Sequence, residues 1–151
     1  MTMHFLPFLG RHLKDDQVIE LLEHYDMDVV YDFDRLHENM PDKYWAVSKA
    51  HGFQFRFTEE QRLDAIFLYL APVEGFSAID RSGIDVPLFG AVSEVEAHCT
   101  GNGLPFAQGH VRPGALAECD WGRVDTDEWS AHYDFRKGAL TIICLSLPRK
   151  R

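Results

Sequence analysis

The clearest pattern along the chain is strict alternation of apolar and polar side chains at two places. Phe53-Gln54-Phe55-Arg56-Phe57 and Ala131-His132-Tyr133-Asp134-Phe135 each put every second residue on one side of an extended strand. A polar turn follows each, residues 58–62 in one case and 136–138 in the other. Then comes an apolar run: Leu63-Asp64-Ala65-Ile66-Phe67-Leu68-Tyr69-Leu70 in the first half, and Leu140-Thr141-Ile142-Ile143-Cys144-Leu145-Ser146-Leu147 in the second. Two runs joined by such a turn predict a β-hairpin in each half. The apolar runs align without a gap. Ile66, Leu68 and Leu70 match Ile143, Leu145 and Leu147, which predicts the core side of the hairpins. The other parity, Ala65, Phe67 and Tyr69 against Ile142, Cys144 and Ser146, is partly polar and predicts an exposed side. Gln54, Arg56, His132 and Asp134 join it from the preceding strands.

Helical spacing is confined to shorter stretches. Val18, Leu21, Leu22 and Tyr25 predict a helix over 15–25, with Asp15 or Asp16 as its cap. Its counterpart is predicted over 93–99, with Ser93 and Glu96 as a capping box. Leu6-Pro7-Phe8-Leu9-Gly10 and Val86-Pro87-Leu88-Phe89-Gly90 precede these helices as similar segments. Further strands are expected over 28–33, 43–48 and 115–123, with the Gly-rich stretch 101–114 as loop. The organisation predicted is an α+β fold, two divergent helix-plus-antiparallel-sheet units in one compact domain spanning 1–151. The first unit covers about 5–71, a connection 72–85 and the second unit about 86–148.

Composition narrows the function classes. With 46% hydrophobic residues and 11 Phe, 5 Tyr and 3 Trp, 151 residues suffice for a real core. The longest apolar run, residues 65–72, is of strand length, so no membrane span is expected, and the start of the chain has no basic segment of signal-peptide type. Three cysteines, Cys99, Cys119 and Cys144, are few and odd in number, which fits a reducing compartment, and a cytoplasmic location is expected. A formal net charge of −9 argues against nucleic-acid binding through phosphate neutralisation and favours a basic partner surface.

The chemistry-bearing residues form no catalytic motif. The eight histidines include no His-Glu-x-x-His pair, and no Cys-x-x-Cys is present, so neither a metal nor another cofactor is expected. The enzymatic alternative, a small metal-dependent or His/carboxylate enzyme, would need His98, His110, His132, Asp120 and Asp134 to converge. A regulatory binding domain is a further alternative. Carboxylates at Asp28, Asp32 and Asp34 share one strand parity, as expected of a solvated face or of a surface for a basic protein. Together with the aromatics they define the expected partner-binding set: Asp28, Asp32, Asp34, Trp45, Arg56, Phe67, Tyr69, Trp129, His132 and Asp134.

Phe8-Leu9-Gly10, Tyr44-Trp45, residues 52–57 and residues 63–70, repeated as Leu88-Phe89-Gly90, Trp129, Tyr133-Asp134-Phe135 and residues 140–147, resemble bacterial immunity proteins that neutralise polymorphic toxins. The tandem units look like the fold of the beta-lactamase inhibitor protein, departing from it in a shorter second helix and a longer connection. The resemblance implies a non-catalytic inhibitor that binds a cognate protein toxin or effector domain, as a monomer or weak dimer, with neither nucleic acid nor membrane as partner.

Overall fold

A computed structural model describes residues 4–32, 41–111 and 118–148. The chain is α+β: the described residues form two α-helices and eight strands in one antiparallel sheet. In chain order these are α1 (Asp16–His24), β1 (Asp28–Asp32), β2 (Lys43–Ser48), β3 (Phe53–Phe57), β4 (Leu63–Tyr69), α2 (Val92–Gly101), β5 (Phe106–Val111), β6 (Cys119–Asp125), β7 (Ser130–Arg136) and β8 (Ala139–Ser146). The spatial order is β1-β2-β3-β4-β8-β7-β6-β5. Both predicted hairpins form, and they meet at the centre of the sheet through β4 and β8. Each carries a register shift at the same relative place, between Arg56 and Phe57 and between Asp134 and Phe135.

α1 forms where Val18, Leu21 and Leu22 make one apolar stripe, and all three are buried. The Asp15 side chain accepts from the Gln17 N–H at 2.9 Å and caps the first turn. α2 runs longer than its spacing predicts, from Val92 to Gly101, and the expected Ser93–Glu96 box is absent. Ser93 lies inside the helix, and Glu94 reaches back to accept from the Gly90 N–H at 2.7 Å. Val95 and Cys99, one turn apart, are its buried residues. Val95 sits over Gly122, where a Cβ would fall 3.2 Å from the valine Cγ1, so this glycine lets α2 approach β6.

Helix residues Val18, Leu21, Leu22, Val95 and Cys99 share one core cluster with Phe53, Phe55, Phe57, Ile66, Leu68, Ala131, Tyr133, Phe135, Ile143 and Leu145. Both helices therefore cover the same face of the sheet. The predicted core parity holds for Ile66, Leu68, Leu70, Ile143 and Leu145, all buried. Leu147 departs from it: it lies past the end of β8 and is exposed. The stretch expected as loop, 101–114, contains β5, whose Gly109 and polar residues conceal its strand character from periodicity.

The similar segments that precede the helices also differ. Leu6–Phe8 makes a 3-10 turn, whereas residues 86–90 are irregular and are held by the Tyr133 hydroxyl, which donates to the Pro87 carbonyl at 2.8 Å. Among the described residues no helix is long and apolar enough to cross a membrane.

Candidate functional site

Among the described residues both helices lie on one face, and the other face of the sheet, free of helices, presents side chains. Register places one continuous row across all eight strands of that face: Asp28, Val47, Gln54, Phe67, Cys144, His132, Arg123 and Ala107. On one side of it run Val30, Trp45, Arg56, Ala65, Ser146, Ser130 and Asp125. On the other run Tyr69, Ile142, Asp134, Trp121 and Gly109. Of the binding residues expected from sequence, Asp28, Asp32, Trp45, Arg56, Phe67, Tyr69, His132 and Asp134 all fall on this helix-free face. Asp34 lies outside the described residues. Trp129 is placed elsewhere, half-buried against the core in the turn after β6, with its N–H donated to Thr126 Oγ1 at 3.0 Å.

Aromatic rings and ion pairs interleave on the face. Trp45 packs against Phe67 with centroids 5.8 Å apart, and the Arg56 guanidinium sits over the Phe67 ring at 5.9 Å. Arg56 also donates to both carboxylate oxygens of Asp64, at 3.0 and 3.1 Å. In the other half Trp121 stacks on His132 at 4.9 Å, and Arg123 pairs with Asp125 at 3.0 Å. Arg136 bridges Glu74 at 3.2 Å and Asp134 at 3.6 Å. The three arginines of the face, Arg56, Arg123 and Arg136, are thus held by carboxylates of the same chain. Val30, by contrast, stands 56% exposed, with Asp28 and Asp32 exposed on either side of it.

Two residues expected to be exposed are not. Tyr69 is buried because Phe76, from the connecting segment, stacks on its ring at 4.0 Å, while its hydroxyl accepts from Gln54 Nε2 at 2.7 Å. Burial raises its hydroxyl pKa. Ala65, a small residue between Arg56 and Ser146, is fully covered. At the centre of the face burial pushes the Cys144 thiol up to about 11. Cys119 is also pushed to about 11, by burial first and then by its hydrogen bond to Asp134.

The residues an enzyme reading would bring together lie in three places. His98 is on α2 and packs against Phe89 at 5.3 Å; His132 and Asp134 are on the helix-free face. His110 pairs with Asp120 through Nδ1 at 2.6 Å and with Glu118 through Nε2 at 3.1 Å, at the β5–β6 edge. These two carboxylates approach opposite ring nitrogens, so they do not converge on one point. Among the described residues no group of three or more His, Cys, Asp or Glu side chains is arranged to hold a metal ion.

Sequence reasoning passed over Trp121 as a site residue. Counting along the ladders would have found it: Trp45 pairs with Arg56, and Trp121 pairs with Asp134, at matching positions in the two hairpins. Gly109 is its second signature, a glycine that makes room for an indole on the neighbouring strand. No protein-family model, curated protein or solved structure matches this chain.

Proposed function

We propose that this chain is a non-catalytic binding protein of the immunity type, which neutralises a protein toxin or effector domain by covering it with the helix-free face of the sheet. The observation that carries this reading is the composition of that face. It presents Trp45, Phe67, Trp121 and His132 as half-buried rings among arginines fixed by internal ion pairs. Tryptophan, tyrosine and arginine dominate binding hot spots because they remove much apolar area from water while keeping a polar group to pair. Holding the arginines in place beforehand lowers the entropy lost on binding. A net charge of −9 favours a basic partner surface through steering.

Two diverged copies of one helix-plus-four-strand unit account for the symmetry of the sheet. The gapless alignment of residues 63–70 with 140–147 exchanges Ala65 with Ile142 and Tyr69 with Ser146. The seam pairs Ala65 with Ser146, Phe67 with Cys144 and Tyr69 with Ile142, a pattern that this exchange leaves unchanged. The seam therefore has the pairing of a local two-fold centred on Phe67 and Cys144, which supports duplication and gives the face one tryptophan from each half.

The test is co-expression with the product of the adjacent reading frame. A 1:1 complex of nanomolar affinity and protection of the host from that product are expected. Trp45→Ala and Trp121→Ala are each expected to weaken the complex about tenfold or more. Absence of both complex and protection would overturn the reading.

A further inference from the structure

The two sheet edges are not equivalent. Among the described residues β1 has a neighbour on its β2 side only, and all five of its residues, Asp28-Val29-Val30-Tyr31-Asp32, are exposed. Val29, Val30 and Tyr31 are 41%, 56% and 46% exposed. Edges are commonly blunted by charged side chains, above all lysine, by proline or by a bulge. β1 has neither proline nor bulge, and its only charges are the two aspartates at its ends: it pairs with β2 in unbroken register from Asp28 with Val47 to Asp32 with Lys43. Its outer backbone groups form a straight template for one more strand. Tyr31 is already engaged inward, stacked on Tyr44 at 4.9 Å and hydrogen-bonded to Asp42, which stiffens the template.

Charge decides what pairs with it. In a second copy, the antiparallel register that uses all five residues would be centred on Val30. It would set Asp28 directly opposite Asp32 at both ends, between chains that each carry −9. Like charges directly opposite destabilise a strand pair. The complement is a strand with cationic residues opposite Asp28 and Asp32 and an apolar residue opposite Val30.

We propose that β1 accepts an extended segment of a protein partner as a ninth strand, with the pattern Lys/Arg-x-apolar-x-Lys/Arg. This rests on the reading of the helix-free face as a protein-binding surface and extends that surface at its β1 rim. Asp28, Val30 and Asp32 share the face with Trp45, so the added strand would carry its cationic and apolar side chains onto that same surface. Backbone pairing supplies the affinity, and the two carboxylates supply the choice of sequence.

The probe is the blocked, fluorescein-labelled peptide Thr-Lys-Thr-Val-Thr-Lys-Thr, titrated into the full chain at low salt and read by anisotropy. Saturable binding is expected, weakened about tenfold when both lysines become glutamate and also when the two lysines are placed side by side. The double substitution Asp28→Lys, Asp32→Lys is expected to invert the preference toward the glutamate peptide. N-methylation separates strand addition from loose charge attraction, because alternate amides of an added strand point toward β1 and away from it. One alternate set of methyl groups is expected to abolish binding, and the other to leave it within about threefold. No saturable binding, equal binding of the two methylated forms, or dimerisation of the chain through β1 in sedimentation would each overturn the proposal. If the co-expressed partner instead binds the double variant at full strength while Trp121→Ala weakens it, the edge proposal falls and the face reading stands.

Discussion

The Trp121 indole lies so close to Gly109 that a Cβ at that glycine would fall 2.6 Å from three ring atoms. The same ring stacks on His132, so one missing methyl group on β5 sets the position of two aromatic rings on the helix-free face.

Gly109→Ala is expected to push the indole away and to destabilise the fold by about 1–3 kcal/mol through overpacking. Trp121 emission, read with Trp45 and Trp129 replaced by phenylalanine, is expected to shift at the same time. An unchanged spectrum together with unchanged stability would show that the ring does not depend on the glycine.

Tyr133 is fully buried under Phe89, and its hydroxyl supplies the hydrogen bond to the Pro87 carbonyl. Tyr133→Phe keeps the ring and removes the donor, so a loss of about 1–2 kcal/mol is expected from the lost bond and the unpaired carbonyl. Urea unfolding checks it: the midpoint is expected to fall with no change in slope. An unshifted midpoint would mean that water replaces the hydroxyl at no cost.

All three thiols are held above their ordinary range. Burial is the leading cause for each, with Cys119 and Cys144 at about 11. The thiolate is the species that alkylates, so at pH 8 iodoacetamide is expected to modify Cys119 and Cys144 about 100-fold more slowly than an unperturbed thiol. Labelling in urea is expected to be fast at all three. Rapid native labelling at Cys144, located by mass spectrometry, would contradict the raised thiol pKa of this half-buried residue at the sheet centre.

His110 gives a pH dependence of definite sign. Its hydrogen bond to Asp120 is the largest influence, the charges of Asp120 and Glu118 add to it, and the imidazole pKa is raised from 6.5. A raised folded value makes the charged pair stabilising at pH below the unfolded value, and that contribution is lost as pH rises through the folded one. The stability difference between the parent and His110→Gln is therefore expected to shrink steadily from pH 6 upward. Urea midpoints measured across that range check it, and a difference that grows with pH would reverse the assignment.

The hairpins were legible because Phe53, Phe55 and Phe57 alternate with Gln54 and Arg56, and two-sided strands bury one parity only. The same parity argument placed Arg56, Phe67, Tyr69, His132 and Asp134 on one face without knowledge of the fold. It went no further where covering came from distant chain. Nothing local reveals that Phe76 closes over Tyr69, or that Trp129 turns toward the core through its bond to Thr126. β5 was unreadable for a related reason. Its Gly109 serves a neighbouring strand, so the residue that looks like a loop signal is a packing requirement of Trp121. The capping of α2 was misplaced by one turn geometry: Glu94 satisfies the Gly90 N–H, which leaves Ser93 and Glu96 without a capping role.

The seam between β4 and β8 also orders events during synthesis. Among the described residues β8 follows every other strand, yet it lies at the centre of the sheet and supplies the only strand pairing between β4 and the ladder of β5, β6 and β7. As the polypeptide emerges, β1 to β4 are made with the apolar edge of β4 unpaired, and three further strands appear before its neighbour exists. Contacts of such long sequence separation are slow to form, and an uncovered edge is vulnerable to stray pairing in the interval. The inner strand of the finished molecule is therefore the outer, adhesive one for most of its birth.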